Sequence, residues 1–121
     1  MRSFAIFLII IGLAAGAFPQ QAKAEFYDGN RLYARCTTEK GEVTFYQYQA
    51  ACMGYIAGVA DATGTFRAAK GNAQCVPPNV TMQQITDVVV SYLRSNPGER
   101  HYAASTLVML AIGKTWPCGS E

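Results

Sequence analysis

The chain has 121 residues, half of them hydrophobic, and its ten basic and eight acidic side chains give a formal charge of +2. A segment closing on Ala22-Lys23-Ala24 reads as a cleavable leader, and the 97 residues beyond it carry eight basic and eight acidic groups. A neutral chain of that size makes one small domain, lacks the electrostatic footprint of a nucleic-acid binder, and is too short for a large multi-step enzyme.

Met1-Arg2-Ser3 carries one positive charge, and Phe4 to Ala17 follow without an ionisable group before Pro19, Gln20 and Gln21 end the run. That run is shorter than the roughly 20 residues that span a bilayer as a helix. Ala22 and Ala24 supply the small residues a signal peptidase requires. Residues 1–24 are therefore expected to be a signal peptide, and residues 25–121 a single exported domain with no stable membrane insertion.

Cys36, Cys52, Cys75 and Cys118 all lie beyond the leader, with 15, 22 and 42 residues between successive members. None forms the Cys-x-x-Cys pair from which zinc sites and thioredoxin-like centres are built. In an oxidising compartment the expected use is two structural disulfides. No metal or cofactor is expected.

Asp28 to Cys36 opens with capping residues and places Leu32, Tyr33 and Cys36 at helical spacing, which predicts a short first helix. Thr37 to Glu42 reads as a turn. From Thr44 to Phe66, Phe45, Tyr48, Cys52, Tyr55, Val59 and Phe66 recur at helical intervals and predict a long second helix with a core stripe. On a neighbouring row Ala50, Gly54, Gly58 and Ala62 fall four apart. Helix-interior glycine costs about 1 kcal/mol relative to alanine, so this row is expected to be a groove packed closely by another backbone. Asp61 and Arg67 argue against the transmembrane use of Gly-x-x-x-Gly. Arg67 to Pro78 is expected to be a loop that holds Cys75.

The third helix has the clearest start, with Thr81 as cap, Gln84 completing a capping box, and Val80 and Ile85 as a hydrophobic staple. Met82, Ile85, Val89, Tyr92 and Leu93 are expected to face inward, and Gln83, Asp87, Ser91 and Arg94 to face water. Ser95 to Gly98 breaks it. Asn96 as cap, Pro97 at the first position and Glu99 closing the box predict a fourth helix with Tyr102, Thr106, Leu107, Leu110 and Ala111 on its buried side. Gly113, Trp116 and Pro117 end it.

The expected fold is thus all-α, a small four-helix, disulfide-stapled bundle with room for a fifth short turn. Successive helices joined by short connections run antiparallel, which brings Cys75 beside Cys118 and leaves Cys36 to pair with Cys52. Three pairings are open to four cysteines, and helix order is the reason for choosing this one.

Few residues suggest catalysis. His101 is the only histidine and has no visible nucleophile or Gly-x-Ser-x-Gly turn. The eight acids are scattered, and Asp61, after the Gly58 turn, is expected to make a structural hydrogen bond. The chain is expected to act through its surface, not as an enzyme.

Asp28-Gly29-Asn30-x-Leu32 ahead of Cys36, Cys52-x-Gly54-Tyr55-Ile56-x-Gly58-Val59-x-Asp61, Cys75-x-Pro77 before Val80-Thr81-x-x-Gln84, and Trp116-Pro117-Cys118 resemble the Rap/Tai family of type VI secretion immunity proteins. The resemblance implies a small helical periplasmic protein of Gram-negative bacteria, often homodimeric. It would bind and inhibit an effector, a peptidoglycan amidase. The matching positions are scaffold, so contact residues do not carry over. A loop entering an enzyme cleft is an economical way to block it, and Asn96, Glu99, Arg100 and His101, within Ser95 to His101, are the candidate partner-binding residues. Arg67 to Gln74 is the second candidate. Two other readings use the same scaffold without a toxin partner: an acid-stress chaperone, for which clustered carboxylates are lacking, and an envelope protein.

Overall fold

The computed structural model describes residues 26–118. The leader expected over residues 1–24 lies outside them. The elements are α1 (Gly29–Cys36), α2 (Phe45–Ala69), α3 (Met82–Ser95), a 3-10 turn (Pro97–Glu99) and α4 (Ala104–Thr115). α2 packs on the other three helices, α3 and α4 pack on each other, and α1 reaches both of them. Among the described residues the only extended pairing is an isolated bridge between Asp28 and Ala103.

The helix starts at Asp28 and Thr81 follow from local chemistry. The Asp28 carboxylate accepts from the Arg31 backbone N–H at 2.8 Å, satisfying one of the donors a helix leaves open at its first turn. Thr81 Oγ1 accepts from the Gln84 N–H at 3.2 Å while Gln84 Oε1 accepts from the Thr81 N–H at 2.8 Å, so the capping box is complete. α2 runs three residues beyond its expected end, and Gly71, at a φ of 77°, turns the chain out of it. The left-handed region costs glycine nothing. There the Gly71 N–H donates to the Ala68 carbonyl and the Asn72 N–H to the Arg67 carbonyl, satisfying carbonyls the helix end would leave unpaired.

The core is built from Leu32 of α1, Cys52 and Ile56 of α2, Ile85, Val89 and Leu93 of α3, and Ala104, Leu107, Val108, Ala111 and Ile112 of α4. Val80, Met82, Tyr55 and Tyr92 are half-buried against it. Both disulfides pair as helix order indicated: Cys36 with Cys52 and Cys75 with Cys118. The first ties α1 to α2, and the second ties the loop after α2 to the segment after α4.

Four sequence expectations are corrected. The fourth helix starts at Ala104, not at Asn96, because Asn96 ends α3 instead: its backbone N–H and its Nδ2 both donate to the Tyr92 carbonyl. Tyr102, Thr106 and Leu110 are exposed, and Val108 and Ile112 take the buried positions; α4 is apolar on nearly every side, so its periodicity could not settle its rotation. Phe66, expected in the core stripe, is 62% exposed. Finally, Ala50, Gly54, Gly58 and Ala62 all face solvent, and a Cβ added at either glycine would meet nothing within 4 Å. A row of every fourth residue drifts around the helix by about 40° per step, so it crosses the open side of α2 diagonally and forms no groove.

Candidate functional site

The connection from α3 to α4 is tied to its surroundings on both flanks. Arg100 anchors it: Nε donates to the Leu93 carbonyl at 2.6 Å and Nη2 to the Arg94 carbonyl at 3.3 Å. A cation on the last carbonyls of α3 also suits the negative end of the helix dipole. The same guanidinium lies 3.8 Å from the centre of the Tyr33 ring on α1. Glu99 accepts a 2.6 Å hydrogen bond from the Tyr92 hydroxyl. That bond, with burial and the nearby negative charge adding to it, pushes the Tyr92 pKa up from 10.0 to about 12.

From the other side, α1 holds the loop through its backbone. The Gly29 N–H donates to the Tyr102 carbonyl at 3.0 Å, the Asn30 N–H to the Arg100 carbonyl at 2.9 Å, and the Ala104 N–H to the Tyr27 carbonyl at 2.9 Å. Only glycine permits this approach. A Cβ at position 29 would collide with the Leu107 side chain and lie 2.9 Å from both the Cα and the carbonyl oxygen of Arg100.

The four candidate contact residues therefore divide. Asn96, Glu99 and Arg100 are half-buried and hold the loop in shape, whereas His101 is exposed. The tip presented to solvent is Pro97, Gly98, His101 and Tyr102, with the His101 and Tyr102 ring centres 4.1 Å apart. Sequence reasoning missed the anchoring roles of Gly29, Tyr33 and Tyr92. A glycine immediately after a helix cap, where no unusual φ is needed, was the available signal for close approach.

The second candidate loop is folded back on α2. Arg67 to Ala69 belong to the helix, Arg67 Nε donates to the Ala73 carbonyl at 3.0 Å, and the Gln74 side chain lies against Gly64. Beside it, Ala60, Gly64, Met109, Gly113 and the Cys75–Cys118 disulfide line an apolar hollow of about 70 Å³. That is far below the roughly 300 Å³ of small-molecule sites. Asp61 is exposed and makes no hydrogen bond among the described residues, so the structural bond expected of it is not formed.

Among the described residues the parts of a catalytic centre do not come together. All four cysteines are in disulfides. No hydrogen bond joins His101 to a carboxylate or a nucleophile, and no three His, Cys, Asp or Glu side chains gather where a metal could bind. What the arrangement offers is a loop hydrogen-bonded on both flanks, with Pro97, Gly98, His101 and Tyr102 exposed.

Residues 28–118 match the family of Rap1a immunity proteins, the span from the Asp28 cap to the last cysteine. The chain belongs to the Rap1a immunity protein family. The match covers all four helices and both disulfides. No curated protein and no solved structure matches the chain. For this Rap1a family member, no helix among the described residues is long and apolar enough to cross a membrane.

Proposed function

We propose that this protein is a periplasmic immunity protein that binds and neutralises a type VI secretion effector, a peptidoglycan amidase, and catalyses nothing itself. The observation that carries the reading is the family match over residues 28–118. The loop geometry supports it: a loop fixed on both flanks by Arg100, Glu99 and the Gly29 N–H loses little conformational freedom on binding a partner. His101 and Tyr102, in ring contact at the exposed tip, are the residues proposed to enter the effector.

The test uses the oxidised protein and a candidate cell-wall amidase sought among the products of adjacent genes, with hydrolysis of purified peptidoglycan as readout. A stoichiometric complex and loss of hydrolysis are expected. His101→Ala with Tyr102→Ala should weaken inhibition by about tenfold or more while leaving the circular dichroism spectrum unchanged. Full hydrolysis in the presence of excess wild-type protein refutes the reading, whereas undiminished inhibition by the double variant removes only the loop assignment. The loop-holding residues Glu99 and Arg100 are poor test sites, since their loss would alter the loop itself.

A further inference from the structure

We propose that the outer edge of α1, where Arg31 and Arg35 stack on tyrosine rings, is a second contact surface that receives a carboxylate-bearing segment of the protein partner. This rests on the immunity reading and adds the chemistry by which the partner would be recognised. The Arg35 guanidinium carbon lies 5.0 Å from the centre of the Tyr27 ring and 5.1 Å from that of Tyr48. Arg31 lies 5.7 Å from the same Tyr27 ring and donates through Nη1 to the Phe26 carbonyl at 3.0 Å. Tyr27 in turn packs on Tyr55, ring centres 5.0 Å apart. Arg35 is therefore flanked by two aromatic rings, one of them buttressed from behind.

The in-plane N–H donors of Arg35 make no hydrogen bond among the described residues. A guanidinium flanked by aromatic rings, with its N–H fork unused, is matched by a carboxylate, which can accept two parallel hydrogen bonds from it. Among the described residues no acid fills that place. Asp28 is engaged as the α1 cap, and Glu39, four residues beyond Arg35, is exposed and forms no ion pair with it. Phe26, 86% exposed, adds an apolar anchor beside the two arginines. Arginine and aromatic side chains dominate binding hot spots, and a prestacked arginine has less rotamer freedom left to lose. A polyanion such as nucleic acid would need more cations than a chain with eight basic and eight acidic groups beyond residue 24 provides.

Gly29 and Asn30, in the first turn of the same helix, hydrogen-bond the Tyr102 and Arg100 carbonyls, so the helix that carries the two arginines also holds the loop.

The experiment is calorimetric titration of the same amidase with wild-type protein, Arg31→Gln, Arg35→Gln and Arg35→Lys, at about 50 mM and about 500 mM sodium chloride. Wild-type affinity should fall several-fold with salt. Arg35→Gln should lower affinity at low salt about tenfold and flatten the salt dependence, and Arg35→Lys should fail to restore it, because lysine keeps the charge and loses the planar fork. Arg31, exposed on the helix surface, provides a variant whose folding is not at risk, and its loss should also flatten the salt response. Wild-type affinity and salt slope in both glutamine variants overturn the inference while leaving the immunity reading intact. Absence of any wild-type binding overturns both.

Discussion

Two glycines in the middle of a 25-residue helix invite the expectation that something packs against them, and the structure predicts the opposite consequence. Gly54 and Gly58 are exposed on α2, and an added Cβ would contact nothing within 4 Å at either. Alanine there adds no clash and restricts the unfolded backbone, so each substitution should stabilise by about 0.5–1 kcal/mol. The sites lie one helical turn apart on open surface with no shared partner, and the double variant Gly54→Ala/Gly58→Ala should gain about 1–2 kcal/mol. For a domain of this size 1 kcal/mol corresponds to roughly 4–8 °C, so the melting temperature should rise by about 10 °C. Urea unfolding and thermal melting of the oxidised protein, both followed by circular dichroism at two protein concentrations about a hundredfold apart, measure the two quantities. A double variant less stable than wild type would refute the reasoning. If that loss appeared only at the higher concentration, the face would be one that a second copy of the chain covers, and the glycines would be there for its close approach.

Gly29→Ala should act in the reverse direction, because Arg100 cannot retreat without breaking the backbone bonds from Gly29 and Asn30; a loss of about 1–3 kcal/mol in urea unfolding is expected, with weaker effector inhibition. Tyr92→Phe isolates the pH response of the Tyr92–Glu99 bond. The folded state raises the Tyr92 pKa from 10.0 to about 12, so this group's stabilisation is complete below pH 10 and is lost as pH rises toward 12. Wild type minus variant in alkaline unfolding curves should show that decline, and a flat difference would disprove the assignment. Replacing Cys75 and Cys118 by alanine opens a closure of 43 residues and should cost about 4 kcal/mol on the loop-entropy relation, against about 3 kcal/mol for the 16-residue closure of Cys36 and Cys52. Equal losses for the two pairs in thermal unfolding would argue against that relation here.

What could be read along the chain was what neighbours in sequence decide. The Asp28 and Thr81 caps, the capping box with Gln84, the inward row Ile85, Val89 and Leu93, and the disulfide pairing by helix order all rest on contacts within a few residues or on simple chain reversal. The four-residue spacing of Ala50, Gly54, Gly58 and Ala62 was equally plain. Its consequence was not, because whether small residues meet a neighbour depends on where the other helices lie.

Residues 95 to 104 mark the boundary most sharply. Asn96, Pro97 and Glu99 have the local chemistry of a helix start, yet Asn96 turns back to the Tyr92 carbonyl, Glu99 is taken by the Tyr92 hydroxyl, and the chain is drawn to Gly29, about seventy residues earlier in sequence. In the same way α4, apolar almost all round, has a buried side only because α1, α2 and α3 pack on it. Local residue chemistry was enough for the helical class, for the starts of three of the four helices and, through helix order, for the favoured cysteine pairing. Which apolar faces are covered, and that Arg100 and Glu99 hold the loop while His101 and Tyr102 are exposed, depend on contacts between segments far apart along the chain.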